Sequence, residues 1–172
     1  VPLSDDVLSQ FGPAAAVRVH TLGEEYQPPA TLVADLTAPQ ALAVPPGSPY
    51  SIADVLAHVV FWQETWLATI EERATPDTGK RQNADWPDVT ADEWSPLFEQ
   101  FLNGLERAWS LADQSEAELS RVLDDGKTVG QLLLHLVQHN NYHFGQIALL
   151  RQMQNLWPPA GSDDTWEEPL HA

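Results

Sequence analysis

An all-α protein, folded as a four-helix bundle with a long crossover between its second and third helices, is what this sequence predicts on three observations. Apolar residues recur at three- and four-residue spacing over several long segments, the mark of helices with one face in a core. No segment shows the strict alternation of a half-buried strand. Pro-rich breaks separate the periodic segments, and a polar stretch over residues 74–89 is long enough to cross from one end of a bundle to the other.

Ser4 to about Leu22 reads as the first helix, with Ser4 as its cap, two acids in the first turn and a kink at Gly12-Pro13; Pro28-Pro29 stop it. A short helical piece from Ala30 to Leu36 leads into the rigid connection AVPPGSPY. Ser51 then caps a second long helix, Ile52 to about Arg73, in which Ile52, Val55, Leu56, Val59, Trp62, Trp66 and Ile70 face inward. After the crossing loop, Thr90 caps a third helix to about Ala112, with Trp94, Leu97, Phe98, Phe101, Leu105 and Ala108 inward. An Asp125-Gly126 turn follows. Thr128 caps the last helix, which runs to about Asn155 and is ended by Pro158-Pro159. Residues 1–157 thus read as one domain and 158–172 as an acidic tail in which His171 is inert.

Composition narrows the function classes. Twenty-five acidic against eight basic residues give a net charge of −17, which repels nucleic-acid phosphates and anionic lipid and so argues against both as partners. The chain has no cysteine, which excludes disulfides, thiolate metal ligands and a cysteine nucleophile. Neither an apolar membrane span nor a signal peptide is visible, so a cytoplasmic protein is expected. Of the seven tryptophans, Trp62, Trp66, Trp94 and Trp109 fall on helices and read as core or dimer-interface packing, which leaves a homodimer open.

The chemistry concentrates in the last helix, where His135, His139 and His143 recur every four residues. Such side chains stack along one face and can share a metal ion. At about 100° per residue, Val129, Leu132, Leu133, Leu136, Ile147 and Leu150 form one apolar stripe; His143 lies roughly 20° from its centre, His139 about 60° and His135 about 100°. His143 is therefore expected to be buried, His139 to be buried as well, and His135 to sit at the margin. A lone core histidine is more often satisfied by a backbone carbonyl than by a metal, but two imidazoles on adjacent buried turns are costly unless something occupies the space between them. A divalent ion does so directly. Two ligands make an incomplete site. His58 and His20 are both open as a third, since by periodicity alone each reads as a boundary residue.

The stretches LTAPQALAVPPGSPYSIADVLAHVVFW, ADWP and TVGQLLLHLVQHNNYHFGQIALLR, in that order, resemble the DinB-like family of metal-binding four-helix bundles, which includes YfiT-type proteins assigned as metal-dependent hydrolases and thiol-dependent S-transferases. The resemblance covers about Thr31 to Arg151. It implies a metal held by one histidine near the start of the second helix and two in the H-x-x-x-H-x-G-Q segment, which here are His58, His139 and His143, with His135 outside the set. One departure stands out: many relatives carry arginine after the last histidine, where this chain has Phe144.

The expectation is a metal-dependent enzyme in which three histidines hold Zn²⁺ or Ni²⁺ with an open position for water, giving a hydrolase, or for a low-molecular-weight thiol, giving an S-transferase. No obvious general base is encoded beside the ligands, so the catalytic group is unassigned beyond a metal-bound water or thiol. Asp54, Glu64 and Gln146 read as solvated or outer-shell groups, and Arg151 is the one base near the motif. The alternative is a non-catalytic metal-binding dimeric scaffold, whose structural site would be closed by a fourth protein ligand.

Overall fold

The computed structural model describes Gly12, Ala16, Val17, residues 28–76, residues 84–160 and Ser162. Among these the chain is helical: α1 Thr31–Ala34, α2 Ala38–Leu42, α3 Ile52–Ile70, α4 Trp94–Ala112, α5 Glu116–Leu119 and α6 Val129–Met153. An isolated antiparallel bridge, Val122 to Thr128, closes the Asp125-Gly126 turn, with Gly126 at φ +83°. The predicted first helix lies almost wholly outside the described residues, as does His20. Its described fragment, Ala16 and Val17, is helical, and Val17 is fully buried. No helix among the described residues is long and apolar enough to cross a membrane.

Capping sets the starts of the long helices. Ser51 and Asp54 close a reciprocal box at the head of α3, and Thr128 and Gln131 do the same for α6. Thr90 and Glu93 also form the predicted box, but it opens a 3-10 turn, Ala91–Glu93, and the α-helix begins only at Trp94. Both α3 and α6 stop two or three residues earlier than predicted, and for one reason. Glu72 and Asn155 each adopt φ +56°, and the next residue's N–H returns to the third-last helical carbonyl: Arg73 to Ala68 at 2.8 Å, Leu156 to Arg151 at 2.9 Å. No glycine marks either stop. Two short helices escaped the sequence reading. One of them, α2, carried a legible signal, a Thr37–Gln40 box with proline in its first turn.

Packing fixes the topology. One apolar cluster joins Ile52 to Val60 of α3 with Trp94 to Leu105 of α4 and Phe144 to Leu150 of α6. A second joins Trp66 to Ile70, Ala108 to Ala112 and Val129 to Val137. Helices α3 and α4 therefore run parallel, which is why a long crossing connection must link them, and α6 runs antiparallel to both. Where the two clusters meet, the three helices contribute polar or small residues instead: His58 and Gln63 from α3, Gly104 from α4, and His139, Asn140 and His143 from α6.

A buried charge on α6 ties residues 32–35 and 156–160 to the bundle. Arg151 is 1% exposed, bonds both Asp35 oxygens at 2.7 and 3.0 Å, and donates to the Leu32 and Leu156 carbonyls. Asp35 in turn accepts from the Ala160 N–H at 2.8 Å.

Candidate metal centre

Helices α3 and α6 bring His58, His139 and His143 together, with one ring nitrogen from each within 4.8 Å of the others. His58 is 6% and His143 5% exposed, while His139 is half-buried. The His58–His143 and His139–His143 ring centroids lie 4.6 and 4.4 Å apart. His135 stays outside this group, exposed at the surface with its ring edge-on to Trp66 at 4.8 Å.

Hydrogen bonding decides which nitrogens face inward. The His58 Nδ1–H donates to the Asp85 carbonyl at 2.6 Å, with the Asp85 carboxylate a further 3.7 Å contact on the same side. His143 Nδ1 faces Gln146 Oε1 at 2.7 Å, and His139 Nδ1 faces Asn140 Oδ1 at 3.3 Å. Each imidazole therefore has an oxygen acceptor at Nδ1, and His58, whose partner is a carbonyl, must leave its Nε2 bare toward the centre. His58 Nε2 and His139 Nε2 face each other at 3.2 Å. With His58 Nε2 an acceptor, either a proton on His139 Nε2 or an ion between the two nitrogens satisfies that contact.

Burial disfavours the doubly protonated, charged form of all three rings. Burial pushes His58 and His143 below the ordinary imidazole range, against the opposing effects of Asp85 and Gln146. His139 is lowered to about 4, first by burial and then by the charges its neighbours would carry. At neutral pH the cluster is three neutral imidazoles, the form that ligates a metal, and this group could hold a divalent ion. Among the described residues no fourth ligand joins it.

Aromatic rings wall the centre. Trp86 stacks on His58, Tyr142 sets its edge against His143 at 5.1 Å, and Trp66 meets His139 edge-on at 4.9 Å while stacking on Trp62. Trp94 is a core residue, its indole N–H bonded to the Leu36 carbonyl. Trp86 was missed as a site residue because it lies in a loop, where periodicity says nothing. Gln63 and Asn140 were missed although the signal was there: each polar side chain falls roughly 40° from the centre of its helix's apolar stripe. Phe144, at the position of the relatives' arginine, is 8% exposed and packs edge-on to Phe101, so it adds core contact and no charge. Of the acids near the ligands, Asp54 is the capping-box partner of Ser51 at the head of α3, and Glu64 binds Arg73 and Arg107.

Comparison with known proteins agrees with this architecture. The DinB superfamily model matches residues 29–147. The fold is similar to that in the crystal structure of a DinB-like protein from Bacillus cereus, with a TM-score of 0.51 and 16% identity over 87% of this chain and 90% of that one. No curated protein matches the chain. With a family match spanning both the α3 and the α6 histidines, the chain belongs to the DinB superfamily.

Proposed function

We propose that the protein is a metal-dependent enzyme in which His58, His139 and His143 hold one divalent transition-metal ion, zinc or nickel, with a coordination position left for water or a low-molecular-weight thiol. The observation that carries this reading is the convergence of three histidines with one ring nitrogen from each within 4.8 Å of the others and an oxygen acceptor facing each Nδ1. An ion held by three neutral donors keeps its full positive charge and supplies Lewis acidity to whatever occupies the open position. The residues around it would orient the imidazoles, and Trp62, Trp66 and Trp86 would give the open position aromatic walls. A closed structural site would need a fourth protein ligand; His135 is exposed and Asp85 lies on the Nδ1 side of His58, so the described residues favour catalysis over a scaffold.

Charge narrows the substrate. Each of the five described basic side chains, Arg73, Arg107, Arg121, Lys127 and Arg151, is paired with a carboxylate, and none contacts the cluster. Arg151, the base nearest the motif in sequence, is consumed by Asp35. At a net charge of −17 and with aromatic walls, the site suits an uncharged, partly apolar substrate and hydrolysis by water. The thiol-dependent S-transferase is the second reading, supported by the donor set, since uncancelled positive charge suits a thiolate sulfur as well as a water oxygen.

Metal analysis followed by activity screens tests the proposal. One ion per chain is expected, with hydrolysis of uncharged esters or amides lost on chelation and restored by metal. Cobalt substitution separates the two chemistries: a thiolate charge-transfer band on adding low-molecular-weight thiols supports the S-transferase, and its absence with every thiol supports the hydrolase. Purified protein that binds no divalent ion ends both readings.

A further inference from the structure

Two fully buried amides link the α4 backbone to the candidate metal centre, and the direction of the link is forced. The Phe101 carbonyl can only accept, so the amide nitrogen of Gln63 faces it at 3.1 Å. Gln63 Oε1 then accepts from Asn140 Nδ2 at 3.1 Å. That leaves Asn140 Oδ1 as the group facing His139 Nδ1. Gln63 is 1% and Asn140 0% exposed, so neither amide can turn over without losing a buried hydrogen bond. The site of Gly104 completes the device: a Cβ there would sit 1.7 Å from Gln63 Nε2, so α4 can approach the amide this closely only with glycine at that position.

We infer that Gln63 and Asn140 are positioning residues that dictate the tautomer of His139. The amide chain starts from a carbonyl that cannot change role and ends on an oxygen acceptor, so the His139 proton is kept on Nδ1 and its Nε2 is left bare. Without that acceptor nothing opposes the other tautomer, in which a proton occupies the Nε2 position and must be displaced before a metal binds. The consequence for metal affinity rests on the ligand role proposed above for His139; the tautomer itself does not.

The test is long-range proton–nitrogen NMR of the histidine rings in the metal-free protein above pH 7, with Co²⁺ affinity measured by competition. Wild type should show His139 protonated at Nδ1. Asn140→Leu and Gln63→Met should both move His139 toward the Nε2–H tautomer and weaken Co²⁺ binding roughly 10- to 100-fold. His58, anchored separately by the Asp85 carbonyl, serves as the unchanged internal reference. Where one variant does not fold, Gly104→Ala replaces it, because its methyl would displace the Gln63 amide, the group nearest to it. A wild-type His139 protonated at Nε2, or one that keeps Nδ1–H in every folded variant whatever their melting temperatures, overturns the inference. If Co²⁺ fails to bind wild type while the tautomers shift as stated, the metal reading falls and the positioning role stands.

Discussion

The indole of Trp86 lies flat on the His58 imidazole, ring centroids 4.1 Å apart and planes 18° from parallel, while Tyr50 stacks on the same indole at 4.2 Å. Two near-parallel rings that close must occupy opposite faces of the indole, so Trp86 is the middle of a three-ring stack with the imidazole at its buried end. The stack holds His58 in the orientation its Nδ1–Asp85 bond requires and keeps water off one face of the centre. Trp86→Ala should therefore weaken divalent-metal binding by about tenfold, the range for loss of a group that supports a ligand. Competition titration against a chromophoric chelator measures it, and an unchanged affinity would show the stack to be packing alone.

His135 and His143 sit two turns apart on α6, yet only His143 belongs to the cluster. His135→Ala should retain about one metal per chain and full helical content. His143→Ala should lose the metal and any metal-dependent activity while its far-ultraviolet circular dichroism stays helical. Equal loss in both variants would mean that the exposed histidine is a ligand after all.

Helical phase in α6 carried most of what could be read of this centre from sequence. It expected His143 and His139 buried and His135 at the edge; His143 is buried, His139 only half-buried and His135 exposed. Phase alone failed for His58, which it put at a boundary and which is 6% exposed. The reason is tertiary: Trp86, from a distant loop, covers the side of α3 that periodicity leaves open. Helix ends were misjudged where Glu72 and Asn155 took the left-handed conformation that glycine usually marks. The Arg151–Asp35 pair joins residues far apart in sequence, and no local pattern announces a buried arginine.

That pair gives a stability prediction. Asp35→Ala leaves the Arg151 guanidinium buried with only the Leu32 and Leu156 carbonyls as partners. Removing one member of a buried ion pair costs about 3–5 kcal/mol, and the two remaining acceptors place this case near the lower end. Urea unfolding should show a loss of about 3 kcal/mol at neutral pH. A loss under 1 kcal/mol would mean that solvent reaches the guanidinium once Asp35 is gone.

Acid should destabilise the metal-free protein through the histidine cluster. Burial lowers all three imidazoles in the folded state, His139 from 6.5 to about 4. The unfolded chain therefore binds more protons than the native one in this range, and stability rises with pH wherever that holds. The cluster's contribution is fully present above pH 6.5 and is lost as pH falls from 6.5 toward about 4. Urea midpoints of the metal-free wild type should fall across that window. His139→Gln should flatten the slope there, because glutamine carries no titrating group to the same buried position. Equal slopes in both proteins would show that His139 does not carry the acid sensitivity; Asp35, which Arg151 holds below the usual carboxylate range, loses its contribution only at lower pH.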